Sequence, residues 1–411
     1  MDFAYIVTLV DQFLKQNGFT FTHEMFQQEI QDKFNLKILQ SENELIQRLN
    51  EHEELKKSSI TKDNQQEKLR QALVEFKHKQ NNHPFKSDLY RHFSEIHSAN
   101  IISVKISPDC RYIATTSTDK TLKITEIKTN KIIQTFDKIS KGTILCLDFH
   151  PNENVILGGA MDGTHFLINY LQNQDPIKFR DHSKYVSVVS FSENGNYFLT
   201  GSHDYTINIY TKTEQKEEKQ EKEMKITEFT HKSKFTFVGV IESAIFGKTE
   251  TEIIVSSRND HFFHYIDLET SQDTRINMNQ NLDNHISFTV MDLQVSPDKN
   301  HLLVTTDKDR VLIYLYKSNL QVQSLYGTSN DEFTNPKSCW DPSSHFVYST
   351  SQRDFEVIVW DYIDGEKVAN LNIHSGLIRN IHVRLNKSTQ ETFIATCSYD
   401  KSVALWVRKQ I

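Results

Sequence analysis

From about residue 101 to the C-terminus, apolar and polar positions follow one recurring order. A β-rich stretch enters a turn and leaves as a second apolar strand, as in "ISVKISPDCRYIATTS", "ILCLDFHPNENVILGG", "VSVVSFSENGNYFLTG", "VMDLQVSPDKNHLLVT" and "KSCWDPSSHFVYST". Alternating apolar residues around a turn of Pro, Asp, Asn or Gly predict a β-hairpin. Each hairpin runs into a short polar element that turns into a third strand. A fourth strand follows, as in "NKIIQTF" or "EKVANLN".

The third-strand corner is the clearest recurring feature. "CSYDKSVALWV" at the C-terminal end resembles "TSTDKTLKITEI", "GSHDYTINIYT" and "SQRDFEVIVWD", with weaker copies in "GAMDGTHFLIN", "SSRNDHFFHYID" and "TTDKDRVLIYL". Taking the shared acidic or Asn position gives Asp119, Asp162, Asp204, Asn259, Asp309, Asp354 and Asp400. The repeat recurs about every 45 residues, the range of four-stranded propeller blades. The longest interval, from Asp204 to Asn259, contains "TKTEQKEEKQEKEMK", a charged stretch with no apolar face that reads as a solvated loop of the third unit.

The corners resemble the WD-repeat family over residues 88–411, although only "VWD" at 359–361 carries the signature Trp-Asp pair. The resemblance implies a mainly β fold, a seven-bladed WD-repeat propeller. It also implies a hydrogen-bonded clip in each blade, made by a His before the first strand, a Ser or Thr on the second, the turn Asp and a third-strand Trp. The best sets here are His374, Ser398, Asp400 and Trp406, then His182, Ser202 and Asp204, then His97, Ser117 and Asp119. Units two, five and six have no matching His. A Ser, a His and an Asp are also the parts of a hydrolase triad. Three triads along one chain are implausible, whereas buried imidazoles and carboxylates always need partners.

The last unit stops after its third strand, and "LYRHFSEI" (89–96) precedes the first. In this family an N-terminal strand completes the last blade, and closing the ring removes an exposed strand edge. Residues 1–35 differ in period. Ile6, Leu9, Val10, Phe13 and Leu14 recur at helical spacing, "NGF" supplies a stop at Gly18 and Phe19, and a second helix would carry Met25, Phe26 and Ile30. This segment resembles the Lis-homology (LisH) motif, matching at Leu14, Asn17, Gly18, Phe19, Thr22, Phe26 and Glu29. That likeness implies self-association through Leu9, Phe13, Leu14, Gly18, Phe19 and Phe26. Residues 36–87 read as a polar helical or short coiled-coil connector.

Composition narrows the function classes. The net charge is −7 over 411 residues, which gives no electrostatic reason to expect nucleic acid. No run of ~18 apolar residues occurs, so no membrane span is expected. The opening "MDFAYIVTLVDQFLKQ" has no basic leader, so no secretory signal is expected. Four cysteines without a CxxC pair argue against a disulfide framework or zinc site and for a reducing, cytoplasmic setting. Only 12 glycines occur, so Asn and Asp are expected to fill turn positions that Gly would take. Phosphate loops, HExxH and GxSxG are missing, and "HFFH" (261–264) points its imidazoles to opposite faces of a strand. No enzyme and no cofactor are expected.

What remains is surface. Propellers of this family bind partners across the face formed by first-strand entries and second-to-third-strand turns. Tyr185, Phe235, Phe237, Phe288, Lys337 and Arg379 map to the entries, and Tyr205, Arg258 and Arg353 to the turns. Aromatic and Arg residues are the types that carry interface energy. The order of LisH, connector and propeller resembles lissencephaly-type dynein regulators, which implies a protein scaffold in a cytoskeletal, centrosomal or ciliary assembly, with dynein, tubulin or ciliary partners. The alternatives are a nuclear scaffold of a co-repressor, ubiquitin-ligase or RNA-processing complex, and a propeller hydrolase.

Overall fold

The computed structural model describes residues 85–94, 96–172, 174–213, 228–331 and 335–409, together with Leu14, 24–26 and Gln28. The chain divides into two units, Met1–Lys79 and Gln80–Ile411. In the first, the five described residues are helical, with Leu14 and Phe26 half-buried and Met25 exposed. Leu9, Phe13, Gly18 and Phe19 lie outside the described residues, as do the connector up to residue 84 and most of the charged stretch in unit three.

The second unit is seven four-stranded antiparallel sheets. Blade one comprises Ile101–Ile106, Tyr112–Ser117, Leu122–Glu126 and Lys131–Phe136. Its first two strands are buried almost throughout, while its fourth is mostly exposed. Inner strands therefore read as near-continuous apolar runs, because both of their faces meet a neighbouring blade. Seven apolar clusters fill the seven gaps between adjacent blades. The innermost strands pack neighbour to neighbour around a complete ring, the last (Ile378–Asn386) against the first.

Closure uses the segment before blade one. Asp88–Phe93 pairs antiparallel with Val403–Lys409, from Asp88 opposite Val407 to Phe93 opposite Val403, and is the fourth strand of blade seven. It is shorter than the 89–96 read from the sequence. The chain leaves the sheet after Phe93, and Ile96 drops into the core between blades seven and one.

Glycine scarcity is met differently from the expectation. Among the described residues, fourteen non-glycine residues have positive φ, and only two, Asn130 and Asn259, are Asn; none is Asp. Asp works instead from the preceding position. Asp109, Asp119, Asp204, Asp298 and Asp400 each accept the N–H two residues on, at 2.9–3.1 Å. The residue between, whether Cys110, Lys120, Tyr205, Lys299 or Lys401, is then held in the left-handed region.

Candidate interaction face and the clips beneath it

Three blades carry the same polar clip. In blade three, His182 Nδ1 lies 3.1 Å from Asp204 and Nε2 lies 2.9 Å from Thr200 Oγ1. In blade seven, His374 bonds Asp400 at 3.1 Å, Ser402 at 2.9 Å and Thr396 at 2.8 Å. In blade one, His97 bonds Asp119 at 3.0 Å and Thr115 at 2.9 Å. Each Asp also accepts the backbone N–H of the residue after the His, from Ser98, Ser183 and Ser375. One side chain thus ties the entry of the first strand to the turn between the second and third.

The structure corrects the sequence reading at two places in these clips. Ser117, Ser202 and Ser398 are not partners of the imidazoles. Ser117 donates to the Ala99 carbonyl and Ser202 to that of Tyr185, and all three accept the N–H of the turn Asp. The ring partner is the Thr two residues earlier, which faces the same way along a strand of period two and lies deeper. Trp406 is edge-on to His374 at 6.4 Å and belongs to the apolar core between blades six and seven, not to the polar set. Among the hydroxyls that do meet the rings, Ser402 and the three Thr are buried with the imidazoles, so these hydroxyl–imidazole pairs are closed to a substrate. Ser117, Ser202 and Ser398 face backbone.

Electrostatics agree with a structural role. Burial pushes the His97 and His182 rings below the ordinary histidine range, against the pull of Asp119 and Asp204. For Asp119, Asp204 and Asp400, burial pushes the carboxyl up, but hydrogen bonds from Thr or Ser, from backbone N–H and from the imidazole outweigh it and hold it down. A carboxylate held low by several converging donors is a fixed acceptor.

The other blades depart from this pattern. In blade two, Gly158 occupies the Thr place, and the Phe166 ring fills the space, within 2.3 Å of where a Cβ at Gly158 would stand. In blade four the acting acid is Asp260, not Asn259. It accepts the Phe262 N–H and bonds His264 at 2.9 Å, and His264 is shared with Asp273 at 2.9 Å. In blade five, strand register puts Lys308 at the position of Asp119, and Asp309 reaches across to the Asn330 N–H at 2.7 Å. In blade six, Asp354 accepts from Ser351 at 2.8 Å. Among the described residues no group of His, Cys, Asp and Glu is placed to hold a metal ion.

Above the clips, the ring leaves a central channel of about 200 Å³ at this face, with lining from all seven blades. Tyr185, Lys337 and Arg379 stand at it. Tyr185 stacks on His203 at 3.9 Å, and His203 lies 3.5 Å from Glu242, which also pairs with Arg258 at 2.9 Å. Burial pushes Glu242 up, but the His203 bond and the charges of Arg258 and Lys337 outweigh it and hold its carboxyl low. Lys337 pairs with Asp292 at 2.9 Å, and Arg379 donates to the Asn335 carbonyl at 3.2 Å.

The remaining surface candidates are scattered. Tyr205 is exposed on the blade-three turn beneath Lys184, and Arg353 pairs with Asp331 on the blade-six turn. Phe288 is half-buried at the entry to blade five, where Arg310 covers its ring. Phe235 does not stand at a first-strand entry. It pairs with Ile207 on the outermost strand of blade three (Phe229–Thr236) and packs with Phe237 toward the core between blades three and four. The charged insertion places this fourth strand later in sequence than the period implies. Sequence reasoning missed His203, Glu242, Asp292 and Asn335, whose signal is positional: each sits at a first-strand entry or turn equivalent to that of a residue singled out in another blade.

The WD domain, G-beta repeat family model matches residues 89–125, 130–169, 174–211 and 365–407. The chain carries WD40 repeats. The matched stretches hold the first three strands of blades one, two, three and seven, and the first three strands of blades four, five and six lie in the unmatched interval. Among curated proteins, protein tipD of Dictyostelium discoideum is 22% identical over 277 residues, 66% of this chain and 41% of that protein. Pre-mRNA-processing factor 19 of the same organism is 25% identical over 28% of this chain and 22% of its own length. Echinoderm microtubule-associated protein-like 3 of Mus musculus is 35% identical over 17% of this chain and 8% of its own length. The chain thus spans well under two thirds of each of these relatives. No described helix is long and apolar enough to cross a membrane.

Proposed function

We propose that this WD40 propeller is a protein-interaction scaffold that works without catalytic chemistry of its own and docks partners on the face around the channel mouth. The observation that carries this reading is the convergence of Tyr185, His203, Glu242, Lys337 and Arg379 from four blades onto one face. Tyr185 and Arg379 are of the types enriched at interface centres, and Glu242 and Lys337 give the site a charge pattern that a partner must match. The clips beneath fix the strand entries and turns that present these groups, so the surface is preorganised.

A cytoskeletal or ciliary setting with dynein or tubulin partners is the finer reading. It draws on the LisH-like sequence of residues 3–34 and on the similarity to a protein named as microtubule-associated. Self-association through that segment would double the docking faces and raise avidity. The match to a pre-mRNA-processing factor favours the nuclear alternative. Affinity purification of the full chain, of a Lys337→Glu/Arg379→Glu variant and of a chain lacking residues 1–35 tests these readings together. The double variant should lose its principal partners while keeping the wild-type circular dichroism and a cooperative unfolding transition, and the truncation should halve the mass in solution. Identical partner sets from wild type and double variant would overturn the docking face. A full-length monomer would overturn self-association.

A further inference from the structure

A second feature lies at the outer edge of the same face, between blades one and two, and shares no lining residue with the channel mouth. A recess of about 620 Å³ is surrounded by Lys120, Lys138, Lys141, Lys178 and Arg180. They come from three separate segments: the turn of blade one, the connection into blade two, and the end of blade two's outermost strand, Ile177–Phe179. All five are exposed. Lys178 Nζ reaches the Lys138 carbonyl at 3.4 Å, which draws the strand end over the loop.

The recess also holds Asp119 and Asp137. Asp119 is committed to its clip with His97 and Thr121. Among the described residues, no ion pair joins any of the five cations to a carboxylate. Five cations against two carboxylates leave a local charge of +3, on a chain whose net charge is −7. Converging like charges repel, and a bound anion relieves that repulsion. A phosphate monoester carries about −1.5 to −2 at neutral pH, so two such groups balance the recess.

The shape of the lining narrows the class further. Among the described residues, its one apolar lining residue, Ile139, is buried, and no aromatic ring lines the recess. Nothing there stacks a base or seats the apolar side chain of a peptide. The volume falls in the roughly 300–1,000 Å³ range of small-ligand sites. Flexible ammonium groups accept phosphates from several directions, which suits groups spread around a ring. We propose that this recess binds a compact polyol bearing two or more phosphates, either a soluble inositol phosphate or the same headgroup on a lipid.

The test uses the full chain, fluorescent inositol trisphosphate and near-physiological salt. Single-site saturable binding is expected. Lys138→Gln/Lys178→Gln should weaken it by roughly a hundredfold, about tenfold for each charge-assisted hydrogen bond removed. Lys387→Gln/Lys409→Gln removes the same charge elsewhere and should leave binding within about twofold, the scale of a diffuse charge effect. Flotation with phosphatidylcholine vesicles, with and without phosphatidylinositol bisphosphate, distinguishes the sources. Vesicle capture that depends on Lys138 and Lys178 assigns the lipid headgroup, and binding of the free probe alone assigns the soluble molecule. Equal weakening by both double variants, no saturable binding, or tighter binding of a doubly phosphorylated peptide would each overturn the proposal.

Discussion

Blades seven and two solve one problem with opposite chemistry. Both must hold the entry of a first strand against the turn between the second and third. Blade seven does so with a buried imidazole satisfied by Thr396, Ser402 and Asp400. Blade two has Ser140 near the His place and Gly158 at the Thr place, and the Phe166 ring fills the gap. Its Asp162 keeps the backbone part of the clip without an imidazole, accepting the Lys141 and Thr164 N–H groups at 2.9 and 3.1 Å. The two blades are both four-stranded. The polar clip is therefore one way of joining strand entry to turn, and the backbone geometry it supports survives without it.

The strand that completes blade seven gives the largest expected effect. A chain starting at residue 97 lacks Asp88–Phe93, exposes the edge of Val403–Lys409 and empties the Phe93 position in the core. Burial of one Phe contributes about 2–3 kcal/mol, and an unpaired inner edge favours aggregation. The truncated chain should be recovered mainly as aggregate. A soluble monomer with an unchanged thermal midpoint would show that ring closure is dispensable.

The next experiment compares the two blades directly. Asp400→Ala removes the acceptor for His374, for the Ser375 and Ser402 N–H groups and for the Ser402 hydroxyl. Removing the one carboxylate on a buried imidazole and leaving the strand-entry and turn N–H groups unpartnered should cost about 3 kcal/mol. Asp162→Ala, at an exposed carboxylate with two backbone partners, should cost about 1 kcal/mol. Denaturant midpoints of the two variants check this, and equal losses would mean that the imidazole adds nothing. Conversely, Gly158→Ala drives a Cβ into the Phe166 ring and should cost about 2 kcal/mol by overpacking.

The same comparison separates what is legible in a sequence from what is not. The period, the hairpins and the turn acids of blades one, three and seven can be read because Asp sits in solvent-side turns, where few residue types substitute for it. Thr115, Thr200 and Thr396 hide in "ATTS", "LTGS" and "ATCS", buried runs where Thr passes for an ordinary strand former. Their constant place, four residues before the turn Asp, is the available signal. Asp260 and Lys308 show a second limit. A turn that gains or shifts one residue leaves the repeat spacing nearly unchanged while handing the acid's place to a neighbour. Phe235 shows a third, because the long interval from Asp204 to Asn259 marks an insertion but not on which side of it the displaced strand falls. The rim recess is invisible in the sequence for a simpler reason: its five cations come from three segments that only the blade packing brings together.

The smallest effect is a test of blade two's apolar solution by pH. His165 is buried, neither ring nitrogen has a hydrogen-bond partner among the described residues, and the ring stacks on Phe179 at 5.0 Å. Burial, followed by the charge of His182, pushes it down from 6.5 to about 3. Above pH 6.5 the ring is neutral in both folded and unfolded chains and contributes no pH dependence. As pH falls below 6.5, the unfolded chain takes up a proton that the folded one refuses, so stability is lost on acidification. One pH unit below the unfolded value that loss is about 1.4 kcal/mol. His165→Phe keeps the stack and removes the proton acceptor. The difference in unfolding free energy between variant and wild type should therefore grow by about 1.4 kcal/mol in the variant's favour between pH 7.5 and pH 5.5. His97 and His182 are also held down by burial, and they remain in both proteins, so their own acid loss cancels in the difference. A difference that stays constant with pH would mean that His165 titrates normally, and that blade two holds a hydrated polar site in place of the dry aromatic fill.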